Sequence, residues 1–309
     1  MSTEIALLVE LRYLALQGTF DSVPPTISDL LNLETLIIKG KDVELPYNIW
    51  STLKLRVLYI SSCWFLNSSL AHNSLERPSG LYNLDTFSTL ELCFGQSLEK
   101  IIRQLPNIRK LKCLLSKSIE SNADCNGIVA LDFMSRLESL NLTRGYPSGC
   151  EVELIERCHI VFRFPGNLKK LTLSNMHSSI IPKGGELPNL VVLKLIDIYF
   201  EEDIWDMNED WEFPELKFLE LANLSIVRWS GGSNDHFPYL QKLVLRACSS
   251  LEEVPSCLGD ITTLQMIEVH KCGKSVVSLG LKIKEDQKNN WGIEDIHVLT
   301  SDIYDTDDA

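Results

Sequence analysis

"LQKLVLRACSSLEEVPSCLGDITTLQMIEV", residues 240–269, holds the spacing L-x-x-L-x-L at 240 and an equivalent, "LQMIEV", at 264. In a short strand, residues four and six of such a unit point one way and residues three, five and seven the other. One face is therefore core and the other meets water. A single unit cannot bury its own leucines, so the pattern has a structural meaning only if copies stack.

Working outward, the copies are there: "LRYLAL" at 11, "LETLII" at 33, "LRVLYI" at 55, "FSTLEL" at 87, "IRKLKC" at 108, "LESLNL" at 137, "LKKLTL" at 168, "LVVLKL" at 190 and "LKFLEL" at 216. Most starts lie 21 to 29 residues apart, the interval of a leucine-rich repeat. The expected fold is an α/β solenoid: a leucine-rich-repeat horseshoe with a parallel concave β-sheet and an irregular or short-helical convex side. The expected organisation is a solenoid of about eleven repeats over residues 1–272, a C-terminal helix and strand cap over 273–300, and an acidic disordered tail over 301–309. A length of 309 residues would otherwise suggest two domains.

Between strands, "SVPPTISDLLNL", "ELPYNIWSTLKL" and "EVPSCLGDITTL" carry an apolar set around proline. Val23, Ile27 and Leu30, with their equivalents, are expected to fill the back of the coil from irregular or single helical turns. Cys63, Cys248 and Cys272 each fall three residues past a strand core and read as inward, structural side chains. Longer intervals, 64–83, 117–133 and 144–167, read as edge loops. In "EEDIWDMNEDWEF", residues 201–213, the expectation is an acidic turn whose Trp205 and Trp211 pack on the core. Nothing ahead of the first strand reads as a cap.

Composition narrows the function. A net charge of −13 disfavours nucleic acid or anionic membrane as the main ligand. Nine scattered cysteines without a C-x-x-C pair fit a reducing compartment. Neither a signal peptide nor an 18-residue apolar run is visible, so the expected location is cytoplasmic. There is no Walker loop, no H-x-x-x-H ligand spacing and no G-x-S-x-G elbow. The chain is accordingly expected to be no enzyme and to hold no metal or cofactor. Sequons at Asn67, Asn141 and Asn223 are expected to be unused.

What remains is the water-facing side of the sheet. Its N-terminal part presents Tyr13, Ile37, Val57 and Tyr59, an apolar and aromatic candidate interface. Across the whole face stand Lys39, Lys110, Lys112, Lys170, Lys194, Lys242 and Arg246 against Glu91, Glu220 and Glu268. Lys110, Lys112, Lys170, Lys194, Lys242 and Arg246 form a candidate basic strip for an acidic protein surface; ordinary solvated lysines are the plainer alternative.

The wording of "ELRYLALQG", "LLNLETL", "LPYNIW", "LPNIRKLKC", "FPELKFLEL" and residues 236–276 resembles the leucine-rich-repeat region of plant intracellular nucleotide-binding immune receptors, in particular the late-blight-resistance-like coiled-coil group of nightshades. The resemblance implies disease-resistance signalling in which the repeats restrain a nucleotide switch and sense effectors. It implies as partners a pathogen effector or host target and the receptor's own nucleotide-binding domain, towards which the Tyr13 patch would face. ADP or ATP would bind only in an upstream domain, since no P-loop, MHD-like motif or coiled coil is present here. Met1 would then stand where a larger receptor is already inside its repeats. A freestanding leucine-rich-repeat adaptor or decoy is the alternative.

Overall fold

The computed structural model describes residues 3–19, 21–40, 43–65, 81–93, 101–116, 127–145, 160–207, 212–232 and 236–301. It divides into two compact units: Met1–Cys125 with Val129–Glu151, and Asn126–Ile128 with Val152–Ala309. Each is a stack of leucine-rich repeats whose strands pair in parallel.

In the first unit the sheet runs β1 (Tyr13–Gln17), β2 (Thr35–Lys39), β4 (Val57–Phe65), β5 (Thr86–Cys93), β6 (Lys110–Ser116) and β8 (Ser139–Arg144), with β3 (Val43–Leu45) beside β4. In the second it runs β10 (Lys170–His177), β11 (Val192–Tyr199), β13 (Phe218–Ala222), β15 (Lys242–Arg246), β16 (Met266–His270) and β17 (His297–Ser301). The short strands β7 (Gly127–Ala130), β9 (Ile160–Arg163), β12 (Ile204–Met207) and β14 (Arg228–Gly231) lie outside these sheets, and β12 pairs with β14.

Register follows the leucine spacing. Leu171, Leu193, Leu219, Leu243 and Ile267 occupy the fourth position of successive units, and each pairs with the next along the sheet. All five are buried, as are Leu173, Leu195, Leu221, Leu245 and Val269 two residues on. Full burial of such a side chain is worth about 1.5–3 kcal/mol. It is realised only when the neighbouring repeat closes over it, so stability is shared between repeats.

The frame differs from the sequence reading in one repeat. The register Val57↔Thr86 and Leu58↔Phe87 makes Leu84 the first position, three residues before the expected start. The preceding interval becomes 29 and the next 24. A bulge at Ser88 and Thr89, the latter at φ 61°, then brings Leu90 back into the core. Phenylalanine at the fourth position and the extra residue disguised the unit.

The returning segments are 3-10 turns set by proline. In Pro25–Asp29, Tyr47–Ser51 and Ser256–Asp260, the preceding Pro24, Pro46 or Pro255 accepts the first turn bond through its carbonyl from Ile27, Ile49 or Leu258. Because proline stands before the turn, its missing N–H removes no bond. Val23, Ile27 and Leu30 are buried as expected. Ahead of β1, where no element was expected, Thr3–Leu7 forms a similar turn beside Pro25–Asp29.

Two ladders were not anticipated. The residue before the first apolar position donates from its side chain to a carbonyl of the preceding repeat: Asn32 to Val9 at 3.2 Å, Asn83 to Leu53 at 2.6 Å, Asn107 to Tyr82 at 2.8 Å, Asn189 to Gly166 at 2.8 Å and Thr263 to Pro238 at 3.3 Å. The eighth position in five repeats of the second unit is left-handed: Asn175, Asp197, Asn223, Ala247 and Lys271, at φ from 50° to 57°. This residue turns the chain inward, so the ninth position enters the core.

Cys248 and Cys272 hold that ninth position, fully buried. Each Sγ lies 3.4 Å from a carbonyl oxygen of its own repeat, Arg246 or His270, and 3.6 Å from one of the repeat before, Leu221 or Leu245, so its one S–H proton is shared between the two acceptors. The side chain of Cys63 lies outside the described residues.

Parts of the expected loops are ordered structure: Phe162 and Phe164 are buried and stacked at 5.8 Å, and Leu131 is buried. Residues 66–80, 117–126 and 146–159 of those intervals, and residues 302–309, lie outside the described residues. Trp205 is buried in β12 and stacks on Trp229 of β14 at 5.3 Å; Trp211 is outside the described residues.

The helix Lys274–Trp291 follows β16 and ends at Gly292, whose φ of 67° suits glycine. Val276, Gly280, Ile283 and Gln287 are its buried residues, at helical spacing, and Gln287 Nε2 donates to Ile261 O at 2.8 Å.

Candidate functional site

The open face of each sheet is formed by the third, fifth and seventh positions. In the first unit, Tyr13, Thr35 and Val57 form one registered row and Ala15, Ile37 and Tyr59 the next. The structure thus brings the four candidate patch residues together on β1, β2 and β4. Tyr13 is 58% and Tyr59 42% exposed, while Ile37 and Val57 are half-buried between them. Farther along, Lys110 and Lys112 project from β6 and are exposed; among the described residues neither makes an ion pair. Glu91 pairs in register with Leu114, and Ser88 stands beside Tyr59. The bulge therefore removes Glu91 from the row of Lys112.

In the second unit Lys170 is exposed without an ion pair among the described residues, but the other candidate bases are paired with carboxylates on the sheet. Lys194 Nζ lies 2.6 Å from Glu220 and Lys242 Nζ 2.6 Å from Glu268. Arg246 bridges the two carboxylates at 3.2 Å and 3.7 Å. His270 joins with Nε2 3.4 Å from Glu268 and Nδ1 2.7 Å from Ser301 Oγ.

The chain Lys194–Glu220–Arg246–Glu268–Lys242 carries three positive and two negative charges. Its basic character is therefore weaker than a count of lysines and arginines implies. The carboxylates lie low and the cations reach over them. Val244, at an outward position between Glu220 and Glu268, is buried as a result. Lys194 and Lys242 also stand over the Phe218 ring, 5.1 Å and 6.0 Å from its centre. The hydrogen bond from Lys242, followed by that from His270, holds the Glu268 carboxyl below its ordinary range against the opposing effect of burial.

A third feature escaped the sequence reading. The second positions of the first unit alternate in sign: Arg12, Glu34, Arg56, Asp85, Arg109 and Glu138, each after the first donating its backbone N–H to the carbonyl of the one before. Arg12 pairs with Glu34 at 3.5 Å; Arg109 pairs with Asp85 at 3.7 Å and Glu138 at 2.9 Å. The Glu138 hydrogen bond raises the guanidinium pKa further. Exposed pairs of this kind are worth about 0–1 kcal/mol each, so their main effect is a charge-balanced rim.

Among the described residues no group of three or more His, Cys, Asp or Glu side chains could hold a metal ion, and no helix is long and apolar enough to cross a membrane. Cys113 is buried, which pushes its thiol up to about 12 and disfavours the reactive thiolate. Asn141 and Asn223 are each engaged by a side chain, Thr143 Oγ1 at 3.2 Å and the Asp197 carboxylate.

A family model described as "Leucine-rich repeat region" matches residues 2–301. Late blight resistance protein R1-A of Solanum demissum is 36% identical over 294 residues, covering 92% of this chain and 21% of that protein. A putative late blight resistance protein homolog of the same species is 36% identical over 284 residues, covering 90% of this chain and 23% of that protein. The plant peptide hormone receptor RGFR1, solved in complex with RGF2, aligns with 92% of this chain and 48% of its own, at 16% identity and a TM-score of 0.47. The chain thus spans about a fifth of the length of these resistance proteins.

Proposed function

This chain belongs to the leucine-rich repeat region family, and on that premise we propose that it is the protein-recognition module of a plant immune receptor. The observation that carries the reading is the 36% identity to late blight resistance protein R1-A over nearly the whole chain. An open sheet face furnished for protein contact supports it. In this reading the repeats sense an effector or a host target and restrain a nucleotide switch located elsewhere in the receptor. The location is the cytoplasm, and no step of chemistry is assigned to any residue here.

Two kinds of surface patch divide the work. The exposed Tyr13 and Tyr59 with half-buried Ile37 and Val57 suit a continuous contact with the receptor's own nucleotide-binding domain, because apolar area needs permanent cover. Lys110 and Lys112 in the first unit make no ion pair among the described residues and suit an acidic partner surface; Lys170 has the same character in the second unit. Lys194, Lys242 and Arg246 contribute less, since Glu220 and Glu268 occupy them.

The test is quantitative affinity capture from leaf tissue with the wild-type chain and the Lys110→Glu/Lys112→Glu/Lys170→Glu variant. Partners lost from the variant and retained by Lys194→Ala support the assignment. An unchanged partner set contradicts it.

A further inference from the structure

We propose that Val9, Leu31, Leu53 and Tyr82 form a docking row on the rim of the first unit for one face of a partner's amphipathic α-helix. This row is separate from the open face and stands independently of the function proposed for it.

The four residues hold the same place in successive repeats, two positions before the first leucine of the unit, Leu11, Leu33, Leu55 and Leu84. They are 51%, 69%, 57% and 50% exposed. Later repeats place proline, serine, glycine or threonine there, as at Pro106, Ser135, Gly166, Pro188, Pro214, Pro238 and Thr262. Large apolar side chains at this position are thus confined to four consecutive rungs. The asparagine ladder ties the rungs together: Asn32 to Val9, Asn83 to Leu53 and, one rung on, Asn107 to Tyr82. Lys54 Nζ reaches Asn32 Oδ1 at 2.6 Å between them.

Three observations select a helix. Repeats in a parallel stack recur at about 4.8 Å, close to the roughly 5.4 Å pitch of an α-helix. Apolar residues at i, i+4, i+7 and i+11 therefore meet four rungs with a total slip of about 2 Å. A β-strand is disfavoured because the carbonyls of Val9, Leu53 and Tyr82 already accept from asparagine side chains. Charge supplies the third: the neighbouring row Arg12, Glu34, Arg56 and Asp85 alternates in sign and is balanced. It offers little to an anionic lipid surface or a uniformly acidic helix. It complements a helix with acids one turn from bases, acids beside Arg12 and Arg56 and bases beside Glu34 and Asp85.

The experiment uses the full chain and a fluorescein-labelled, lactam-bridged helical peptide of roughly 16 residues, with leucines on one face and alternating glutamate and lysine beside them. A permuted peptide of identical composition is the control, and affinity is read by anisotropy. The expected results are binding at least about tenfold tighter than the permuted peptide, and a loss of about tenfold or more in Leu31→Asp/Leu53→Asp. Leu31→Gln/Leu53→Gln, milder at these exposed sites, should weaken binding in the same direction, and Lys194→Ala should leave it unchanged. Equal binding of the permuted peptide overturns the proposal, as does unchanged affinity in both double variants. So does preferential binding to phosphatidylserine vesicles. Self-association abolished by Leu31→Asp/Leu53→Asp, with no peptide binding, assigns the row to a second copy instead and equally overturns it.

Discussion

Replacing Glu268 by glutamine removes the carboxylate on which Lys242, Arg246 and His270 converge, at 2.6, 3.7 and 3.4 Å. A hydrogen bond to a charged group contributes about 1.5–3 kcal/mol. Lys242 remains partly exposed and can turn to water, and Arg246 keeps Glu220, so the expected cost is near the lower end, about 1–2 kcal/mol. A double-mutant cycle with Lys242→Gln, read by urea unfolding at low salt, should give a coupling of about 1 kcal/mol. Acidity supplies a second signature. The Glu268 pKa is depressed in the folded chain, so between its folded and unfolded values the unfolded state binds more protons and stability rises with pH. The contribution is complete above the unfolded value of about 4.3 and disappears as pH falls through the folded value. The wild-type chain should therefore lose more stability on acidification than Glu268→Gln. A coupling under about 0.3 kcal/mol, with acid limbs that superimpose, would refute the network.

Further outcomes follow from the repeat geometry. Leu219→Ala should cost about 3 kcal/mol by leaving a cavity, whereas Thr172→Ala on an open face should stay within about 0.5 kcal/mol; equal losses in chemical denaturation would contradict the assigned faces. Asn83→Ala and Asn107→Ala should each lower stability by about 1 kcal/mol, and additive, negligible effects would mean the ladder is incidental. Ala247→Val should cost about 2 kcal/mol because a β-branched residue resists the left-handed conformation, while Ala247→Gly should be neutral or stabilising; the reverse order in thermal unfolding would exclude that backbone geometry. Cys113, Cys248 and Cys272 should resist iodoacetamide at about pH 8 in the native chain and react in urea, and mass spectrometry showing rapid native labelling would place them at the surface.

Much of this molecule is legible in its leucines because one spacing encodes both strand and burial. Leu171, Leu193, Leu219 and Leu243 could be assigned to the core from position alone. The unit at Leu84 was misread because Phe87 occupies the fourth position and Thr89 adds a residue, so the best local match began three residues late. The open face was legible as a list and not as an electrostatic object. Lys194 and Glu220 share the fifth position of adjacent repeats, so their pairing follows directly from register. Lys242 and Arg246 reach Glu268 diagonally, which requires side-chain length and direction as well as register. The asparagines in "LLNL", "LYNL" and "LPNI" and the alternation from Arg12 to Glu138 were visible in the sequence. Their meaning emerges only when equivalent positions are compared down the stack.

The central claim is that these repeats serve a nucleotide-switched receptor. Mapping the 5′ end of the transcript and sequencing the reading frame upstream of Met1 tests it most directly. The account predicts an in-frame G-x-x-x-x-G-K-[ST] loop in the same message. A message whose coding sequence starts at Met1, after an in-frame stop, would contradict it and leave a freestanding repeat protein.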